Sequence, residues 1–144
     1  MKFKIITAIA AMTMATGAFA ESHGASGDAE AGEKAFGKCK SCHMIQDAEG
    51  TDIVKGGKTG PNLYGIVGRT AGTYEGFNYG ADLVAAGEAG LVWDEAQFAA
   101  YVQDPKKFLS DYLGSAARSK MSFRLKDGGE DIYAYLASVG PAAE

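Results

Sequence analysis

Two cysteines and a histidine stand together in the run Cys39-Lys40-Ser41-Cys42-His43. The step from Cys39 to Cys42 is about one helical turn, so both sulfurs can face the same edge of a flat partner. A histidine directly after the second cysteine is held where its Nε2 can reach a metal at the centre of that partner. C-x-x-C-H is the pattern by which two thiols add to the vinyl groups of a haem and a histidine binds the iron. Two other chemistries compete for the string. A structural zinc site wants four Cys or His ligands, and beyond these three the chain offers only His23, in a polar Gly/Ser stretch. A thioredoxin-like dithiol sits in a βαβ setting, and no strand-like apolar run precedes Cys39.

Haem iron takes a sixth ligand or leaves that position open, and the choice separates electron transfer from catalysis or gas binding. The candidates outside the first twenty residues are His23, Met44 and Met121. Ordering a polar tail to bring in His23 would cost backbone entropy. Met44 adjoins His43 and falls on the same side of the ring. Met121 lies in Arg118-Ser119-Lys120-Met121-Ser122-Phe123, between two expected helices, where it has no periodic core role. A loop methionine can simply fill a gap; beside a haem motif it becomes the candidate sixth ligand. A thioether is a soft, weak donor that favours Fe(II), and two filled axial sites describe a carrier rather than a catalyst.

The elements that must position these groups are short helices. Asp28 reads as the N-cap of a first helix, with Glu30 and Glu33 early and Lys34 and Lys38 late, the order that suits a helix dipole. Gly32 inside that helix is costly unless something approaches closely. At the other end, Glu130 to Val139 reads as a helix stopped by Gly140-Pro141, and the two terminal helices are expected to cross at Gly32. Between them, a short helix is expected from Ala81 to Ala86, ended by Gly87. Asp94-Glu95-Ala96-Gln97 opens another, and Asp104-Pro105 ends it and opens the next, which runs to Gly114. Residues 47–61 and 65–80 show no sustained period, and no sheet is expected. Long loops are uncommon in a compact domain unless they wrap something. The expected class is all-α, with helices and loops wrapped around one haem.

Residues 1–20 read as a cleaved secretory signal: Lys2 and Lys4, an apolar run from Ile5 to Ala15, and Ala18-Phe19-Ala20 as the cleavage site. The apolar run is shorter than the ~20 residues a spanning helix needs. Residues 21–27 form a polar tail expected to be mobile, 28–140 one haem domain, and 141–144 a C-terminal tail. Without residues 1–20 the chain has 124 residues, and its net charge moves from −4 to −6 because only Lys2 and Lys4 leave. That acidity argues against nucleic acid as a partner. Both cysteines belong to the motif, so no structural disulfide is left.

The chain resembles the class I c-type cytochromes, and closely the cytochrome c2 and c550 group of photosynthetic and denitrifying bacteria. The resemblance runs from about Asp28 to Gly140. It is carried by Gly32, Phe36, the Cys39–His43 motif, Lys58-Thr59-Gly60-Pro61-Asn62-Leu63, Gly68-Arg69, Trp93, Tyr101, Asp104-Pro105-Lys106-Lys107, Lys120-Met121 and Tyr135. It implies one haem c on Cys39 and Cys42, axial His43 and Met121, and a Pro61 carbonyl that accepts from His43 Nδ1. It also implies Arg69, Tyr79 and Trp93 around the haem propionates, and Tyr101 near the Met121 sulfur. Lys38, Lys58, Lys106, Lys107, Lys120 and Lys126 match the lysines that ring the haem edge and steer partners. The chain departs from shorter relatives by extra residues at about 47–54 and 110–120.

The expected function is a periplasmic one-electron carrier and not an enzyme. The expected partners are a cytochrome bc1-type complex as donor, and a photosynthetic reaction centre, terminal oxidase or other reductase as acceptor. It is expected to be a monomer without a stable membrane anchor. The rival reading is an enzyme or sensor whose open iron binds peroxide or a small gas; no distal His or Arg is evident for that chemistry. A third, a haem-free interaction module, leaves the attachment motif unexplained.

Overall fold

The computed structural model describes residues 24–141; the expected signal segment, the beginning of the expected tail with His23, and residues 142–144 lie outside it. The element order is α1 (Ala29–Ala35) with a tight turn (Phe36–Lys38), β1 (Ile45–Gln46), β2 (Asp52–Val54), α2 (Ala81–Glu88), α3 (Glu95–Gln103), α4 (Pro105–Leu113) and α5 (Gly129–Val139). Among the described residues no helix is long and apolar enough to cross a membrane.

Three aspartates start three of the helices by giving carboxylate oxygens to otherwise unpaired N–H groups. Asp28 accepts from Glu30 and Ala31, Asp94 from Gln97, and Asp104 from Lys107. Asp104 also closes α3, and Pro105 then supplies the first residue of α4, where a missing N–H costs nothing. Gly114 ends α4 in a left-handed conformation, φ 68°.

The terminal helices cross as their glycine requires. A Cβ on Gly32 would overlap the Asp131 carbonyl, and the Phe36 and Tyr135 rings meet just beyond the crossing with centroids 5.8 Å apart. Helix α3 leans on α5 at Gly129, where a Cβ would stand 2.9 Å from the Ala99 Cα. Phe36, Ile45, Leu91, Leu109, Ile132 and Leu136 are essentially removed from water, and among the described residues no polar side chain is buried without a partner. The end of the expected tail is tied down rather than loose: Ser26 and Gly27 donate their N–H groups to the Glu95 carboxylate, and Asp28 donates to Asp131.

Two details depart from the expectations. First, the framework is helical but includes a small antiparallel hairpin, Ile45 opposite Val54 and Gln46 opposite Asp52. It survives because side chains do what a longer ladder would: Asn62 accepts from the Gln46 N–H and donates to its carbonyl, and Asp47 caps the turn through Glu49 and Thr51. Second, Gly87 does not end α2 but lies inside it, because a Cβ there would overlap the Ala71 carbonyl packed against the helix.

Candidate functional site

The Cys39–His43 run is wound as one helical turn directly after the Phe36–Lys38 turn that follows α1. Cys42 and His43 donate their N–H groups to the Cys39 carbonyl at 3.1 and 2.9 Å. Both sulfurs are unpaired, and they meet different surroundings. Burial pushes the Cys39 thiol up to about 11, whereas hydrogen bonds from the Thr59 and Ser41 hydroxyls lower that of Cys42.

His43 is fixed from behind. Its Nδ1 lies 2.8 Å from the Pro61 carbonyl oxygen, which can only accept, so Nδ1 carries the proton and Nε2 keeps a free lone pair. Burial lowers the His43 pKa, against a smaller opposing pull from the Pro61 hydrogen bond, and favours the neutral ring that a metal needs. Gly60 lies flat against that ring: a Cβ there would overlap it, standing 2.6 Å from Nδ1. The Gly60 N–H holds the loop down by donating to the Cys42 carbonyl at 2.8 Å. Sequence reading assigned Gly60 no role of its own, although Thr59-Gly60-Pro61 signals a tight approach.

Cys39, Cys42, His43 and Met121 all line one cavity of about 360 Å³, within the range of small-molecule sites. Its walls are mainly apolar, with Leu63, Ile66, Phe98 and Ile132 among them. Among the described residues no group of three or more His, Cys, Asp or Glu is placed to hold a metal ion. Two cysteine sulfurs, an imidazole nitrogen and a thioether on the walls of one mainly apolar cavity fit a covalently attached haem. Met121 is half-buried and held in a local turn, with Ser119 Oγ accepting from its N–H and donating to its carbonyl.

The remaining expected residues separate into those at the cavity and those beside it. Tyr79, Trp93 and Tyr101 line it, as does the Pro61 that orients His43. Trp93 and Tyr101 pack with ring centroids 4.9 Å apart, and the buried Tyr133 hydroxyl donates to the Trp93 carbonyl at 3.1 Å. Arg69 does not line the cavity. Its guanidinium donates to the Tyr64 carbonyl at 2.9 Å and lies over the Tyr74 ring, 5.1 Å from the centroid. Of the six lysines, Lys38 and Lys120 are at the cavity, while Lys58, Lys106, Lys107 and Lys126 are exposed elsewhere. Lys107 is engaged with Asp111 one turn along α4. Phe123 also lines the cavity while 42% exposed, which sequence reading missed; an aromatic in a polar loop just past Met121 was the available signal.

No protein-family model matches the chain. Curated relatives and solved structures do. The chain is 66% identical over 116 residues to cytochrome c-551 of Roseobacter denitrificans, covering 80% of this chain and 83% of that one. It is 52% identical over 141 residues to cytochrome c2 of Rhodobacter capsulatus, covering 96% and 98%. The crystal structure of that cytochrome c2 overlays with a TM-score of 0.76 at 57% identity, over 78% of this chain and 98% of that chain. Ferric cytochrome c-550 of Paracoccus versutus overlays with a TM-score of 0.77 at 52% identity, over 81% and 100%. With that identity over most of its length, a helical fold of the same kind and a slot bounded by the attachment motif, the chain belongs to the cytochrome c2/c-550 family of class I c-type cytochromes, electron-transfer proteins that carry one covalently bound haem c.

Proposed function

We propose that this electron carrier is a periplasmic cytochrome whose haem iron is held between His43 and Met121. One observation carries the reading: His43, with Nδ1 committed to Pro61, and Met121, in a turn closed by Ser119, line the same cavity as both attachment cysteines. When bound, the haem supplies a one-electron Fe(III)/Fe(II) couple. Cys39 and Cys42 hold its edge, and Pro61 keeps the imidazole in one tautomer and orientation. Leu63, Ile66, Phe98 and Ile132 keep water out, which favours the less charged reduced state. Tyr79 and Trp93 are assigned to the propionate end, with Arg69 near Tyr79, where burial raises the tyrosine pKa and the Arg69 charge pulls it back in part. Tyr101 is assigned to the Met121 side.

The domain runs from 28 to 140, preceded by a signal removed after Ala20, which directs the monomeric carrier to the periplasm. Members of this family move electrons between membrane redox complexes. For this chain the donor is a cytochrome bc1-type complex, and the acceptor a photosynthetic reaction centre, terminal oxidase or other reductase. Lys38 and Lys120, at the cavity itself, lead the docking face, and Lys58, Lys106, Lys107 and Lys126 supply the outer field.

The test is an optical spectrum of the oxidised and reduced protein, including the weak near-infrared band of methionine sulfur on ferric haem. A low-spin reduced spectrum with that ferric band is expected. High-spin haem, or loss of the band at neutral pH, removes Met121 from the iron and returns the open-iron reading.

A further inference from the structure

The chain between α4 and α5, residues 114–128, contains no helix or strand, yet its part leading to Met121 is held at four consecutive residues. Ala117 donates its N–H to the Ser110 hydroxyl on α4 at 3.0 Å. Arg118 donates its N–H to the Asp82 carboxylate at 2.6 Å. Ser119 closes on Met121, and the Lys120 ammonium donates to the Asn78 carbonyl at 2.7 Å. Asp82 and Asn78 belong to one short stretch, the entry to α2.

That stretch and the loop are two walls of the same cavity. Tyr79, Gly80 and Leu83 line it from that stretch, and Ser119 and Met121 from the loop. They meet closely at Gly80, where a Cβ would stand 3.4 Å from the Lys120 Cγ. Two of the four anchors are charge-assisted and join the loop to this stretch, Lys120 to Asn78 and Arg118 to Asp82, and in the second a carboxylate of α2 itself holds the loop backbone. Asp82 is half-buried, but Arg118 is exposed and the bond lies at the surface, so water screens it to the strength of an ordinary hydrogen bond.

We infer that Asp82 is a positioning residue that holds the Met121 loop shut against α2 and thereby governs how readily an outside ligand displaces Met121 from the iron. The inference rests on the Met121 ligation proposed above. An outside ligand enters through a minor open state, so its binding rate follows the open population. Removing one such hydrogen bond raises that population about fivefold.

Stopped-flow binding of imidazole to the ferric holoprotein tests this with Asp82→Ala, Asp82→Asn and Asp111→Ala. Asp82→Ala is expected to speed binding about fivefold. Asp82→Asn keeps an oxygen that can accept from Arg118 and is expected within about twofold of the unmutated protein. Asp111→Ala removes the same charge from an exposed pair with Lys107 and is expected to change nothing. An unchanged rate in Asp82→Ala overturns the inference, and equal acceleration in all three variants overturns it in favour of net charge. The methionine band of the unmutated ferric protein is recorded first. Its absence overturns the ligation reading and this one together; its presence with an unchanged Asp82→Ala rate overturns this one alone.

Discussion

Gly32 of α1 lies so close to α5 that a Cβ built on it would overlap the Asp131 carbonyl and stand 2.9 Å from the Tyr135 Cβ. The two terminal helices therefore touch backbone to backbone, and the attachment motif follows α1 after one tight turn. The Phe36–Tyr135 ring pair fills the space beside the crossing.

Gly32→Ala should accordingly be expensive even though alanine is the better helix former. The added methyl meets main-chain atoms that cannot rotate away, and overpacking of this kind costs about 3 kcal/mol. Guanidinium unfolding followed by far-ultraviolet circular dichroism should show the midpoint falling with little change in slope. A midpoint within error of the unmutated protein would mean that the helices can separate at no cost.

Met121→Ala should keep the haem attached, since Cys39 and Cys42 are untouched, while removing the soft donor proposed for the iron, which would favour Fe(II). The reduction potential should fall by on the order of 0.2 V, a fraction of the span that axial ligands control. Imidazole should then bind the ferric protein without competition. Redox titration decides it: an unchanged potential would show that Met121 is only a gap-filling loop residue.

The features legible in the sequence are those whose cause is local. Asp28, Asp94 and Asp104 cap helices because each needs only a neighbour two or three residues on. The attachment motif is legible for the same reason, and Gly32 because a glycine in a helix demands an explanation. What was not legible depends on distant chain. The hairpin rests on Asn62, sixteen residues beyond Gln46, and Gly87 is explained only by the Ala71 carbonyl. Arg69 matched a family position, but Tyr64 and Tyr74 hold it beside the cavity rather than in its wall.

The lysines divide in the same way, and that division is testable. Lys38 lines the cavity, whereas the Lys107 charge is already paired with Asp111. Lys38→Glu should slow electron transfer to a cytochrome-oxidising membrane complex about fivefold at low ionic strength, with the difference shrinking as salt screens it. Lys107→Glu should do less. Second-order rates measured against ionic strength separate the cases; equal effects would mean that net charge alone steers the protein.

Alkaline stability should be set in part by Tyr133. Burial raises its pKa, and the nearby Asp94 and Glu95 charges add to the shift. Its hydroxyl also donates to the Trp93 carbonyl, a bond that ionisation would remove. An unfolded tyrosine releases its proton near pH 10, before the folded one does. The unfolded state therefore gains from deprotonation first: the contribution is complete below about pH 10 and is lost as pH rises through the folded value. Tyr133→Phe should lower stability at pH 7 by about 1 kcal/mol, the worth of one hydrogen bond, and should flatten the decline above pH 10. The measurement is guanidinium unfolding of the reduced protein from pH 8 to 11. Coincident curves for the two proteins would show that Tyr133 ionises as freely folded as unfolded, and that the Trp93 carbonyl gains nothing from its proton.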